Sequence, residues 1–274
     1  MSHLNPLEAG CMFWAGRDSV AVIASMGVRC GQIGIGGETD ITPEFTATLK
    51  ADLARHGIEI ITVFASYNGE SYADLATVQH TVGFIPPATR AERLTRTLAI
   101  VDLASQLGVS SIACHIGFVP EEQDDPDYLD VLEMVRQVCD YAAPHGQAFA
   151  LETGQEPAQE LLEFIHAADR PNLKVNFDPA NMILYGSGDP HEALGVLQSK
   201  IISVHAKDGD WPPAPGTLGK ERALGKGAVD FPRFIATLRE IGYQGPLCIE
   251  REAEDPVERI ADMRAAVAFL RGLV

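Results

Sequence analysis

Four apolar runs in the second half of the chain each end in a side chain able to bind a metal. They are Phe149-Ala150-Leu151-Glu152, Leu173-Lys174-Val175-Asn176-Phe177-Asp178, Ile201-Ile202-Ser203-Val204-His205 and Pro246-Leu247-Cys248-Ile249-Glu250. An ionisable group at the end of a buried strand is costly unless something there uses it. One such residue alone is more often structural, a glutamate paired with a base or a hydrogen-bonded core histidine. Four on consecutive strand-like runs point to one shared site. Three carboxylates and an imidazole suit a divalent cation of intermediate hardness, which would offset the mutual repulsion of the acids. Glu152, Asp178, His205 and Glu250 are therefore the candidate metal ligands.

These residues need a scaffold that brings distant strand ends together. Short runs rich in Val, Ile, Phe and Ala alternate with longer amphipathic segments. Strands are expected at 32–35, 58–65, 111–116, 148–152, 173–178, 201–205 and 247–250, with a weaker first strand near 7–14 interrupted by Gly10 and Cys11. Helices are expected at 19–26, at a stretch opened by Thr42-Pro43-Glu44 and stopped by Gly57, and at 88–107, 128–141, 158–168, 190–198, 231–241 and 257–273. Continuous rather than alternating apolar strands mean a parallel sheet covered by helices. The reading is an α/β fold, a single (β/α)8 TIM barrel domain over residues 1–274. A doubly wound sheet would carry a glycine-rich phosphate turn after its first strand. Gly34, Gly36 and Gly37 lack that spacing, and Glu38-Thr39-Asp40 follows them. In a β/α barrel the carboxyl ends of all strands open on one face, where the chemistry sits.

Other residues reach the same mouth. His115 ends the run Ile112-Ala113-Cys114-His115 and is either a substrate contact or a polar plug. Asn181 follows Asp178 by three residues and can present its amide to a hydroxyl. Lys207 and Asp208 follow His205. Residues 209–229 form a long loop with Trp211 as a candidate substrate wall and Lys226, flanked by glycines, as a candidate anion contact. A long loop after a ligand-bearing strand reads as a partial lid. Phe64, Tyr67 and Phe84-Ile85-Pro86-Pro87 are expected to form an opposite apolar wall, with Tyr72 and Met26 in the core. Strand alternation turns Arg251 away from Glu250, towards salt bridges with neighbouring helices.

The bulk numbers narrow the function. The formal net charge is −17 over 274 residues. That opposes binding a polyanion such as DNA without a strong local basic patch. Arg90, Arg93 and Arg96 do not make one, being interleaved with Glu92 and apolar residues. The five cysteines, Cys11, Cys30, Cys114, Cys139 and Cys248, form neither a disulfide framework nor a zinc-finger spacing, so a reducing cytoplasm is expected. Residues 1–10 lack a basic region followed by an apolar stretch, so no secretory signal is read there. No run of about 18 apolar residues exists that would span a membrane.

The motifs Ala150-Leu151-Glu152-Thr153, Asn176-Phe177-Asp178-Pro179-Ala180-Asn181, Val204-His205-Ala206-Lys207-Asp208, Leu224-Gly225-Lys226-Gly227-Ala228-Val229-Asp230-Phe231 and Ile249-Glu250 resemble the xylose isomerase-like TIM barrel superfamily. The best match is its sugar phosphate isomerase/epimerase branch. The resemblance implies one divalent metal held by Glu152, Asp178, His205 and Glu250, manganese favoured, with magnesium, cobalt or zinc as alternatives. It implies a small polyhydroxylated carbonyl substrate and a proton moved between Glu152 and Glu250 through an enediolate. It also leaves open a lyase dehydrating a polyol ketone such as an inosose, or a non-catalytic carbohydrate-binding homologue. Many members of the branch are homo-oligomers. Two positions depart from ketose epimerases: Asn181 stands where a histidine is common, and the place of an arginine falls near Trp211. The endonuclease branch uses many more histidines for a multi-metal cluster; with eight in all, and glycines around Lys226 where that branch carries ligands, this chain does not match it.

Overall fold

The computed structural model describes residues 4–274, so the first three residues of the segment read for a signal lie outside the described residues. Eight parallel strands close into a barrel. In chain order the strands are β1 (Ala9–Trp14), β2 (Cys30–Ile35), β3 (Glu59–Ala65), β4 (Ser111–Cys114), β5 (Ala148–Glu152), β6 (Leu173–Phe177), β7 (Ile201–Ala206), a hairpin of β8 (Asp208–Asp210) and β9 (Lys220–Arg222), and β10 (Leu247–Ile249). The barrel runs β1-β2-β3-β4-β5-β6-β7-β10 and back to β1; the antiparallel hairpin stands outside it. The helices are α1 (Val20–Ala24), α2 (Pro43–His56), α3 (Leu75–Thr81), α4 (Arg90–Leu107), α5 (Pro126–Ala142), α6 (Ala158–Ala168), α7 (Pro179–Tyr185), α8 (Pro190–Leu197), α9 (Phe231–Glu240) and α10 (Pro256–Arg271). The weak first strand is a full barrel member, despite Gly10 and Cys11. At Gly10 a Cβ would approach the Cys30 carbonyl to 2.8 Å, so the residue that weakened the strand signal is one the strand–strand approach needs.

Burial explains why the strand signal was continuous. One face of each strand packs on the helices in a single large core that includes Ile33, Val63, Phe149, Phe177, Phe234 and Val267. The other face lines the lumen, where Met12, Phe64, Ala113 and Ala150 pack together with Trp14 and Ile202. The lumen also carries a polar layer. Gln32 on β2 donates from Nε2 to Asn176 Oδ1 on β6 (2.9 Å), and Ser203 on β7 donates to the same oxygen (2.5 Å). β2 and β6 are not neighbours in the sheet, so this bond crosses the barrel.

Several expectations for loops and core are corrected. Helices α3 and α7 and the hairpin were not expected. Tyr67 and Phe84 are core residues whose rings sit 5.8 Å apart, with exposures of 4% and 0%, rather than a wall of the mouth. Tyr72 is not core; it is half-exposed beside the His115 ring. All five cysteines are free and buried, and burial pushes the Cys11 thiol up to about 12. Among the described residues no helix is long and apolar enough to cross a membrane.

One turn sets how closely the third and fourth strand–helix connections approach. Gly83 has φ +67°, and a Cβ there would lie 2.0 Å from the Ile116 carbonyl carbon. Phe84 N donates to Ile116 O across the same contact (2.8 Å). Gly83→Ala adds a left-handed strain and a backbone clash, expected to cost about 3 kcal/mol. The thermal midpoint should fall by at least about 5 °C in scanning calorimetry; an unchanged midpoint would show that the contact does not matter.

Candidate metal centre and active-site cavity

The four candidate ligands come from the ends of four consecutive barrel strands. Glu152 is the last residue of β5, and His205 sits near the end of β7. Asp178 and Glu250 immediately follow β6 and β10. Their ligand atoms all lie within 4.8 Å of one another. Asp178 is held twice over. Its Oδ1 caps α7 by accepting from Ala180 N (2.8 Å) and Asn181 N (2.9 Å), and its backbone N–H donates to Thr153 Oγ1 (2.8 Å). That leaves Oδ2 turned to the centre.

The centre has the form of a site built for a cation. Glu152 Oε1, Asp178 Oδ2 and His205 Nδ1 are buried and have no aligned hydrogen-bond partner. Yet His205 Nδ1 stands 2.7 Å from Glu152 Oε1, 3.3 Å from Glu250 Oε2 and 3.5 Å from Asp178 Oδ2. These atoms crowd one small volume around the imidazole. The opposite ring nitrogen, Nε2, lies 3.1 Å from Gln32 Oε1, an acceptor that suits a proton on Nε2 and, with a metal bound, a lone pair on Nδ1. Asn176 Nδ2, 3.3 Å from the same nitrogen, packs beside it; both donors to Asn176 Oδ1 fix that amide's orientation. The donor set of carboxylate oxygens and one imidazole fits a hard-to-intermediate divalent ion.

The charges express the same demand. Burial disfavours the His205 imidazolium, but Glu250 and Glu152 override it and draw its pKa well above the ordinary value. Burial alone would raise Glu152; His115 and His205 instead hold it down to about 2. For Asp178 burial wins, and its carboxyl is pushed up. Three acids in a low-dielectric pocket need positive charge in their midst, which a divalent ion would supply in place of a proton. Two bases sit beside them. His115 Nε2 is 2.8 Å from Glu152 Oε2, and Lys207 Nζ is 3.1 Å from Glu250 Oε2 and 2.7 Å from Glu252 Oε2.

Above the centre lies a cavity of about 290 Å³, walled by the rings of Trp14, Phe64, Tyr72 and Tyr185 and by the polar groups of His115, Asn181 and Lys207. This is close to the lower end of small-molecule sites. Three residues expected at the substrate are elsewhere. Trp211 is 45% exposed and outside the cavity wall. Asp208 turns into the long loop, accepting at Oδ1 from Gly209 N and Val229 N and at Oδ2 from Gly225 N and Gly227 N, all within 2.9–3.1 Å. Lys226 is exposed, and the amides of its flanking glycines serve Asp208. The glycine-flanked loop does receive an anion, but it is the chain's own. Gly227 is required there, since a Cβ would meet Asp208 Oδ1 at 2.3 Å.

The cavity also contains residues that the sequence did not single out for it: Trp14, Glu70, Tyr72, Tyr185, Glu221 and Glu252. Trp14, as the last residue of a barrel strand, carried a readable signal. Glu221 comes from the hairpin, where Arg251 Nη1 holds it at 3.1 Å, and only the fold brings it in. Arg251 also reaches Asp262 and Glu258 on α10, as alternation implied.

A closed β/α barrel with a carboxylate–imidazole centre at the carboxyl rim defines a class of enzyme-like barrels. The sequence profile of the xylose isomerase-like TIM barrel family matches residues 20–273, and the chain belongs to that family. A crystal structure of a xylose isomerase domain protein from Planctomyces limnophilus is 39% identical, with a TM-score of 0.91 and 98% of each chain covered. The L-ribulose-5-phosphate 3-epimerase of Salmonella paratyphi A is 25% identical over 185 residues, 65% of this chain and 63% of that protein. The match thus spans less than two thirds of that curated relative. A D-psicose 3-epimerase from Clostridium cellulolyticum H10, solved with D-tagatose, shares the fold at 18% identity, with a TM-score of 0.71 and coverage of 97% of this chain and 99% of that one. Epimerases therefore stand among its homologues.

The orienting amide offers a test of the centre. Gln32→Leu removes the acceptor that fixes the His205 tautomer, and should weaken Mn2+ binding by about 10–100-fold. Calorimetric titration of chelator-stripped protein measures this; unaltered affinity would mean that Gln32 does not orient the ligand.

Proposed function

We propose that this protein is a divalent-metal-dependent epimerase or isomerase of a small polyhydroxylated carbonyl compound, working by proton transfer between Glu152 and Glu250. The observation that carries this reading is the convergence of unpartnered Glu152 Oε1, Asp178 Oδ2 and His205 Nδ1 with Glu250 beside a sugar-sized cavity. A divalent ion held by Glu152, Asp178, His205 and Glu250, manganese favoured, would supply Lewis-acid polarisation of a carbonyl and charge balance for an oxyanion.

The chain's own residues do the rest. One glutamate removes the proton from the carbon next to the carbonyl, giving an enediolate, and the other returns a proton to complete epimerisation. The two glutamates have different cationic neighbours, His115 for Glu152 and Lys207 for Glu250. The ion pair with His115 leaves Glu152 Oε1 facing the centre. Asn181, nearly buried in the wall, is placed to hydrogen-bond a substrate hydroxyl. The rings of Trp14, Phe64, Tyr72 and Tyr185 exclude water from the reacting carbon and cover the apolar faces of a polyol. Five free buried cysteines support a reducing cytoplasm as its compartment.

Glu152→Gln and Glu250→Gln should each lower solvent-deuterium incorporation into recovered ketose by about 10²–10⁴-fold. Mass spectrometry of sugar recovered from deuterated buffer reads this. Full exchange in either variant removes the acid–base assignment, and a new conjugated absorbance with loss of water would identify a dehydratase instead.

A further inference from the structure

We propose that the substrate carries no phosphate, because the lysine, the helix N-terminus and the loop amides at this barrel mouth that would seat one are each taken by an internal carboxylate. The inference rests on the function proposed above and narrows its substrate class to an unphosphorylated polyhydroxylated ketone.

A barrel mouth offers an anion three kinds of receptor: a cationic side chain, a helix N-terminus and a run of free loop amides. All three kinds occur here and all are occupied. Among the described residues, the cavity wall carries one lysine and no arginine. That lysine, Lys207, is held between Glu250 and Glu252 at 3.1 and 2.7 Å. The short helix α7 begins beside the centre, and its first free amides, Ala180 N and Asn181 N, are capped by Asp178 Oδ1. The amides of Gly225 and Gly227 bind Asp208 Oδ2. Arg251 and Arg222, the arginines nearest the rim in sequence, pair with Glu221 and Asp210 and stay out of the wall.

The remaining wall is acidic. Besides the candidate ligands Glu152 and Glu250, it carries Glu70, Glu252 and the Arg251-paired Glu221, against Lys207 and His115. Glu70 itself is fixed by Tyr67 N, Gly83 N and Ser66 Oγ rather than by a cation. A phosphate ester entering this space meets Glu70 and Glu252 and, the metal apart, no unpaired lysine or arginine. Juxtaposed like charges reject a ligand strongly, and specificity often rests on such repulsion. An uncharged polyol meets no such penalty, and its hydroxyls find Asn181 and His115 while its carbon faces find the aromatic rings.

The test is a set of matched pairs, D-ribulose with D-ribulose 5-phosphate and D-fructose with D-fructose 6-phosphate, run with Mn2+-loaded protein. Two readouts are taken: deuterium exchange and calorimetric binding. The free ketoses should exceed their esters by at least about 100-fold in kcat/KM or affinity. Glu252→Gln, at a half-exposed rim position, releases one partner of Lys207 and should narrow that preference by about 10-fold. Faster exchange on a phosphate ester would keep the epimerase reading and overturn this inference. Absence of exchange on all four, with binding of free ketoses only, would overturn the epimerase reading and keep this one. Binding of an ester as tightly as its ketose, or no binding by any of the four, overturns it in either case.

Discussion

Three carboxylates brought within reach of one buried imidazole govern the rest of the rim. Glu152, Asp178 and His205 are 3%, 0% and 0% exposed, so water does little to screen their charges. Like charges in such a place raise one another's energy unless positive charge intervenes. His115 and Lys207 supply part of it from the flanks. Glu152 Oε1, Asp178 Oδ2 and His205 Nδ1 mark where a cation would supply the rest. The polar layer below serves this arrangement: Ser203 and Gln32 fix Asn176, Gln32 meets His205, and the ring presents Nδ1 upward. A lumen filled by aliphatic side chains would pack more simply but would not set that tautomer.

The same carboxylates shape the ligand's side of the cavity. Asp178 serves two roles with its two oxygens, one stitching the first turn of α7 and the other facing the centre. Asp208 gathers four backbone amides and ties the end of the long loop back to its start, while Leu218, Gly219 and Glu221 of that loop line the cavity. Glu252 and Glu221, reached through Lys207 and Arg251, extend the acidic surface outward. Acids that stabilise the local backbone thus also set the sign of the cavity's field, and the two functions are not separable at the level of single residues.

The candidate cluster was legible because of a property of parallel barrels. Every strand delivers its carboxyl end to one face, so a polar residue closing an apolar run already has an address in three dimensions. Glu152, Asp178, His205, Glu250 and His115 were found that way. The same rule misplaced residues one step further on. Asp208 follows the β7 rim just as Lys207 does, but it points into the loop because four amides are waiting there. Tyr67 and Tyr72 look alike in the sequence; one is sealed against Phe84 and the other stands over His115. Loop geometry, which no period encodes, separates them.

From its sequence alone the chain declared a barrel, four candidate ligands, an acidic surface and its family, since each of these is carried by local pattern: period, run length and the residue that ends a run. Tertiary structure alone decided that Gln32 orients His205 across the lumen, that Glu221 and Glu252 enter the wall, and that Asp208 rather than a substrate anion fills the Gly225–Gly227 turn. Those facts depend on pairings between residues up to 173 positions apart. Such partners share no local signal, because they are joined by where the closed sheet and its loops bring them, not by where they lie along the chain.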